Sequence, residues 1–406
     1  MTRSTGLPEV LLVSEYYWPE PIGSAPYCTD LAEWLAAAGC PVSVLTCRPH
    51  YPAGTSFPDY DGGDRDREQR NDVRIERLMP HSSRRRGAMG RMLAGLTFLL
   101  RGWRALLSRR TPRSHLVVAL CPSILGVLLG HLARRRGGSL VVLVHDIESG
   151  LAGSLGIVSL RWLVQLMQAV ERRVLNTADV IMVLSPPMRN RLVAMGVTSR
   201  IDVVPLWVDL TAIQPSHSGE RDPVVALYSG SLGRKQGLQQ LIALAAELHR
   251  RQGRVRVVIR GEGHEATRLA AEIAALDLDN VEIQPLLPAD QLGRGLAEGD
   301  IHLVPQEPDT ADFAVPSKIF SIMAAGRPFV ATAHPNSLLW DLQRESQAFV
   351  CVPPGDAEAF AGAVLDLAKD SARRLVLGER ARAFVTERHG RPAVLGGVLA
   401  LIRELS

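Results

Sequence analysis

The chain runs twice through one pattern: a short apolar run, a loop, a helical stretch and then the next apolar run. Residues 10–14 are such a run, followed by a loop rich in Pro and Gly and by a helical pattern with Tyr27, Leu31, Leu35 and Ala38 on one face. Gly39 ends that helix and residues 42–45 read as the next strand. Further continuous apolar runs at 116–120, 140–144 and 180–184 are separated by helical patterns such as 161–175. Strands covered on both faces read this way, so a parallel sheet is expected. The pattern restarts at 224–228, passes through a helix at 238–250 and returns as runs at 254–259, 281–283, 301–304 and 329–331. Two doubly wound, Rossmann-like α/β domains facing a cleft account for this, with the polar stretch 214–223 read as the linker. Ligands of such sheets sit beyond the carboxyl ends of the strands.

Two turns in the second half carry anion-binding chemistry. Tyr228-Ser-Gly-Ser-Leu-Gly-Arg-Lys-Gln-Gly237 follows an apolar run, and Val315-Pro-Ser-Lys-Ile-Phe-Ser-Ile-Met-Ala-Ala-Gly-Arg-Pro328 opens a helical pattern. Glycines and a cation at such a junction are expected to leave backbone N–H groups free for a diphosphate. Lysine usage points to the same places. Of 46 basic residues only Lys235, Lys318 and Lys369 are lysine, and two of these three lie in the turns. A compact ammonium suits a phosphate met as a point charge, whereas arginine suits bidentate pairs.

At 406 residues the chain exceeds what one core sustains. A formal charge of +4 suits anionic ligands or an anionic membrane surface and is too small to indicate nucleic acid. Five cysteines, Cys28, Cys40, Cys47, Cys121 and Cys351, form no Cys-x-x-Cys pair and no zinc spacing, so a reduced, cytoplasmic setting and no metal are expected. The N-terminus does not read as a signal peptide, and the apolar stretch 116–132 is short for a membrane span and interrupted by Pro122.

One region departs from the α/β pattern. Residues 52–72, polar and rich in Gly and Asp, read as a mobile loop. They are followed by His81-Ser-Ser-Arg-Arg-Arg86 and by an apolar helix at 92–107 flanked and interleaved by Arg91, Arg101, Arg104, Arg109 and Arg110. Such a helix either lies in a membrane interface or serves as a core helix with solvated arginines.

Taken in order, these motifs resemble the retaining glycosyltransferases of family 4, which have the GT-B fold and take a sugar from a nucleotide diphosphate. Tyr17-Trp-Pro-Glu-Pro-Ile-Gly-Ser24 is similar to the family's first-strand loop, ahead of Thr29-Asp-Leu-Ala-Glu-Trp-Leu35. Val144-His-Asp-Ile-Glu148 resembles the strand end that bears the active-site histidine or acid. Val204-Pro-Leu-Trp-Val-Asp209 is similar to the family's entry to the C-terminal domain, with Leu206 where asparagine is usual. The Gly-x-x-Gly-x-x-Gln-Gly and Pro-Ser-Lys forms are closest to the colanic-acid and N-acetylfucosamine-type transferases of bacterial surface polysaccharides.

The resemblance implies an acceptor-side domain at 1–205, a nucleotide-sugar-binding domain at 206–385 and a C-terminal helix at 386–406 that packs back on the first domain. It implies His145 as the group touching sugar or acceptor, with Asp146 and Glu148 as general-base or orienting alternatives. Gly23 and Ser24 would let the first loop approach the donor diphosphate or the acceptor, and Arg234, Lys235, Ser317 and Lys318 would hold the diphosphate. Gly230, Gly261, Glu262 and Gly263 would shape the nucleotide pocket, with tight-turn duty as the alternative for the last three. The implied partners are a nucleotide-sugar donor and a glycan or lipid-linked acceptor, with the inner membrane surface nearby and no cofactor or metal. One departure stands out. The family's Glu-x7-Glu pair, whose second member binds the ribose, falls on Phe313 and Ser321, which leaves Glu307, Asp309 and Asp312 as substitutes. A nucleotide-sugar epimerase and a non-catalytic nucleotide-sugar-binding subunit fit the same turns. A dinucleotide oxidoreductase fits less well, because no Gly-x-Gly-x-x-Gly follows the first strand.

Overall fold

The computed structural model describes residues 7–21, 23–50, 56–81, 88–121, 123–147, 161–215, 221–233, 236–307 and 315–406. Two compact units divide the chain: residues up to Val204 together with Leu395–Ser406 form the first, and Pro205–Val394 form the second.

In the first unit the order is β1 (Val10–Val13), α1 (Ala25–Ala37), β2 (Val42–Cys47), α2 (Pro58–Asp61), β3 (Arg67–Arg70), β4 (Val73–Leu78), α3 (Ala88–Leu107), β5 (Ser114–Cys121), α4 (Ile124–Ala133), β6 (Arg134–Val144), α5 (Arg161–Leu175), β7 (Val180–Val183), α6 (Pro186–Ala194) and β8 (Arg200–Val203). The sheet order is β3-β4-β2-β1-β5-β6-β7-β8, parallel except for the β3–β4 pair. The residues of β1 and β7 are buried throughout, as the apolar runs require. Helix starts follow local chemistry: Ser123 Oγ accepts the Gly126 N–H at 3.3 Å, and Ser185 Oγ accepts the Met188 N–H at 3.4 Å ahead of Pro186.

The second unit continues with β9 (Val224–Ser229), α7 (Gln239–Arg250), β10 (Val255–Arg260), α8 (Ala266–Ala275), β11 (Val281–Gln284), α9 (Leu292–Ala297), β12 (Ile301–Pro305), α10 (Lys318–Ala324), β13 (Phe329–Thr332), α11 (Leu338–Ser346), β14 (Val350–Val352), α12 (Ala357–Lys369) and α13 (Ser371–Arg388), and the last helix, α14 (Arg391–Glu404), passes into the first unit from Leu395 onward. Its six strands run β11-β10-β9-β12-β13-β14, all parallel. The core joins Tyr228, Leu241, Ile242, Ala245, Ile259 and Phe360. Burying a side chain of this size fully contributes about 1.5–3 kcal/mol.

Every strand expected from an apolar run is present. Four others, β3, β4, β8 and β14, carry charge or are very short, so they give no such run. Of the expected mobile loop at 52–72, residues 52–55 lie outside the described residues and 56–72 carry regular structure. Residues 58–61 are helical, and Arg67–Arg70 pair antiparallel with β4. Arg48 clamps Asp66 from two nitrogens at 2.7 and 2.9 Å. A charged edge strand alternating between exposed and half-buried residues has no hydrophobic signature.

The stretch 214–223 is also not the division between the halves. The units part at Val204 and Pro205, and Leu206, Trp207 and Val208 are buried within the second unit. There the Val208 N–H donates to His389 O at 2.9 Å, and His389 Nδ1 lies 2.8 Å from Leu206 O.

Candidate functional site

A doubly wound sheet opens a crevice where the strand order reverses. In the second unit that point lies between β9 and β12, and the two sequence-identified turns leave the sheet there. The turn after β9 begins at Gly230, whose φ of +150° is a backbone state that L side chains rarely adopt. A Cβ at that position would lie 2.9 Å from Lys318 Nζ, so the ammonium reaches across from the first residue of α10. Lys318 Nζ also sits 3.8 Å from the centroid of the Tyr228 ring, a cation–π contact that fixes its direction. Tyr228 is itself held, its hydroxyl donating to Ser231 O at 2.7 Å, and burial pushes its phenol well above the ordinary range.

Gly261 and Gly263 have a packing reason. A Cβ at Gly261 would meet Gly230 O at 2.1 Å, and one at Gly263 would meet Leu232 O at 2.3 Å. The two loops are zipped together, because the Gly230 N–H donates to Arg260 O at 2.9 Å and the Leu232 N–H donates to Glu262 O at 2.8 Å. This corrects one expectation. The backbone donors at 230 and 232 are committed to the neighbouring loop, so at these positions the turn shapes the crevice and does not present free N–H groups. Glu262 is exposed on the facing loop. Ser317 stands at the start of α10 without a side-chain capping bond, and Ser321 is half-buried within it. Arg234, Lys235, Phe313, Asp309 and Asp312 lie outside the described residues.

The sequence did not mark Gln240 and Gln306. Gln240 Nε2 donates to Gln306 O at 3.0 Å, and Gln240 Oε1 accepts the Gly355 N–H at 3.1 Å. This one amide joins the exits of β12 and β14, with Gly237, at φ +61°, leaving room for it: a Cβ there would lie 2.6 Å from Gln240 Nε2. The Gln after the glycines could have been read as a brace from its place in the first turn of α7.

In the first unit the order reverses between β1 and β5. His145 follows β6, the next strand, as the sequence places it; it is buried, and its N–H donates to Cys121 O at 3.1 Å. Its ring meets Tyr27 edge-on at 5.5 Å, which brings the start of α1, and with it Gly23 and Ser24, to the same rim. Gly23 has φ +74° and Ser24 precedes the first helical residue. Asp146 is half-buried, its carbonyl 3.8 Å from Cys121 Sγ, while Glu148 lies outside the described residues.

Beside them stands a cluster that the sequence did not reveal. Glu20 Oε2 accepts the Tyr17 N–H at 3.1 Å, and Oε1 accepts the His50 N–H at 2.8 Å, so this buried carboxylate staples the loop after β1 to the loop after β2. Glu15, at the exit of β1, is buried with His50 Nε2 at 4.0 Å. Burial pushes its carboxyl up to about 7, opposed by a hydrogen bond with the Ser123 side chain across the reversal point. Burial also lowers His50, which stacks on Tyr16 at 5.4 Å. Strand-end position was the available signal for Glu15; nothing in the sequence marked His50. Among the described residues no group of three His, Cys, Asp or Glu is placed to hold a metal ion.

Comparison with known proteins agrees with this construction. A family model described as "Glycosyl transferase 4-like domain" matches residues 23–207, and one described as "Glycosyl transferases group 1" matches residues 223–370. The putative colanic acid biosynthesis glycosyl transferase WcaI of Escherichia coli (strain K12) is 28% identical over 375 residues, covering 88% of this chain and 91% of WcaI. Among solved structures, sucrose-phosphate synthase from Thermosynechococcus elongatus superposes with a TM-score of 0.77 at 20% identity, covering 98% of this chain and 99% of its own. Anabaena HepE in complex with UDP and glucose gives 0.73 at 16%, covering 98% of this chain and 100% of its own. The chain belongs to the glycosyltransferases that join a glycosyl transferase 4-like domain to a group 1 domain, two doubly wound α/β units of the GT-B type.

Proposed function

We propose that this glycosyltransferase is a retaining enzyme of bacterial surface polysaccharide synthesis. It moves a sugar from a nucleotide-diphosphate donor to a glycan or lipid-linked acceptor and works at the inner face of the cell membrane. The observation that carries the reading is Lys318 Nζ poised over Gly230 at the strand-order reversal of the second unit. An ammonium there meets the charge that develops on a departing diphosphate, and an ion held in advance by Tyr228 needs no reorganisation as the bond breaks. Arg234, Lys235 and Ser317 are assigned to the same phosphates. Glu307, half-buried two residues after β12, is assigned to the ribose hydroxyls in place of the missing glutamate.

In the reaction the bond from the sugar's anomeric carbon to the phosphate oxygen breaks, and the acceptor oxygen bonds to that carbon on the same face. The acceptor proton passes to an oxygen of the departing phosphate. His145 orients the sugar or the acceptor hydroxyl, with Asp146 and Glu148 as its alternatives, so the protein contributes position and charge and no covalent intermediate. The relatives support the pathway: WcaI is named for colanic acid biosynthesis, and the HepE complex holds UDP and glucose.

The test is to incubate the full chain with UDP- and GDP-sugars, first alone and then with membrane extract as acceptor source. Transfer with an unchanged anomeric configuration in the product supports the reading. Isomerisation of the donor alone points to an epimerase, and binding without turnover points to a partner subunit.

A further inference from the structure

The first unit exposes apolar surface where a soluble α/β domain has no use for it. α3 is apolar on two opposite faces. Gly95, Phe98, Gly102 and Ala105 face inward, and a Cβ at Gly102 would lie 2.3 Å from Leu129 of α4, so that face is closed by close packing. The outer face carries Met92, Leu96, Leu100, Trp103 and Leu107, with Leu100 61% and Leu107 64% exposed. Steps of four, four, three and four residues keep these side chains on one stripe. α5, which also packs on α4, repeats the arrangement with Trp162, Leu166 and Val170, and Trp162 is 62% exposed. Both flanks of α4 therefore present an apolar ridge to solvent.

The exposed charge carried by these two helices has one sign. From Leu78 to His145 the sequence contains no Asp or Glu and twelve Arg. Arg104, Arg109, Arg113, Arg172 and Arg173 are exposed on or beside the two helices, and the acidic residue on α5, Glu171, is buried. Arg84, Arg85 and Arg86 belong to the same stretch but lie outside the described residues. No helix among the described residues is long and apolar enough to cross a membrane.

We propose that the outer stripes of α3 and α5 form one two-helix docking surface for an anionic lipid bilayer, with Trp103 and Trp162 at the headgroup level and the arginines on lipid phosphates. Apolar ridges alone would fit a second copy of the chain equally well. The arginine excess decides for the bilayer, because two copies of this face would bring like charges together, whereas anionic headgroups neutralise them. The proposal deepens the membrane side of the functional reading and does not depend on the reaction.

The experiment is co-sedimentation of the full chain with vesicles of phosphatidylcholine, with and without phosphatidylglycerol, across a salt series. Beside it run Leu100→Gln/Leu107→Gln on α3, Trp162→Gln/Leu166→Gln on α5, and Arg104→Gln/Arg173→Gln. All six positions are exposed or half-buried at the surface, and circular dichroism checks the fold. Binding that requires the anionic lipid and weakens with salt is expected. Each apolar pair is expected to lower the partition coefficient about tenfold or more, and the arginine pair to reduce the salt dependence. Recovery that is equal on neutral and anionic vesicles and insensitive to salt overturns the proposal, as does the absence of binding. Loss in the α3 pair with an unchanged α5 pair overturns the two-helix surface. A dimer in solution that the same variants make monomeric assigns the ridges to a second copy instead. Donor turnover measured without vesicles keeps a failure here separate from a failure of the transferase reading.

Discussion

The two units reverse strand order in the same way and carry opposite chemistry at the reversal. In the second, β9 and β12 part around glycine-shaped backbone and the ammonium of Lys318. In the first, β1 and β5 part around the buried carboxyl of Glu15 and the hydroxyl of Ser123, with His50 and Glu20 behind them. A fixed cation suits a diphosphate. Carboxyls beside an imidazole that burial keeps neutral would repel one, and they suit hydroxyl groups that can donate hydrogen bonds. The fold supplies the position in both units, and the residues leaving the strands supply the specificity.

That contrast can be broken most directly at Lys318. Lys318→Met is expected to cost about 2–4 kcal/mol of transition-state stabilisation and to weaken UDP or GDP binding. Calorimetric affinity with turnover unchanged in both would remove the cation from the second unit's role.

The first unit is tested by His145→Ala. A group that touches sugar or acceptor should slow single-turnover transfer about a hundredfold while nucleotide affinity stays near normal. If transfer, binding and thermal stability fall together, the histidine is structural, which fits its burial against Tyr27, and the role passes to Asp146 or Glu148.

Glu15 gives a pH signature. Its folded pKa of about 7 lies above the ordinary 4.5, so the folded chain holds a proton that the unfolded chain has released. Stability is therefore undiminished below 4.5, falls as pH rises towards 7 and stays reduced above it, by up to about 3 kcal/mol. His50, lowered by burial, acts in the other direction, costing stability as pH falls below its ordinary value. Urea unfolding of Glu15→Gln across this range should show the acid-to-neutral decline flattened, with the largest gain over the unchanged chain above pH 7. Parallel pH curves for the two proteins would mean that the carboxyl is solvated and the chemical contrast between the units is smaller than stated.

Gly261→Ala sharpens the shape side of the comparison. Its Cβ would meet a backbone oxygen, Gly230 O, which cannot rotate away, so a loss of about 1–3 kcal/mol and weaker nucleotide binding are expected. Thermal melts with and without UDP separate the two effects, and unchanged melts would show that the loops after β9 and β10 are free to part.

The sequence alone determined the two parallel sheets, because strands covered on both faces must be apolar along their whole length, and it placed Lys318 and His145 at strand ends or helix starts. It also located the pair of turns, since lysine occurs at only three positions and two of them fall there. It did not reveal β3, whose charged residues face solvent at a sheet edge. Only tertiary structure brought Glu15, Ser123 and His50 together, from three loops far apart in the chain. A carboxyl becomes unusual through what surrounds it, and burial is a property of the fold. The same holds for the outer stripe of α3. Its periodicity was legible as apolar, but a stripe of leucines reads alike whether it faces a core or water. The packing of Gly95 and Gly102 against α4 showed which face was covered, and so left the other to solvent.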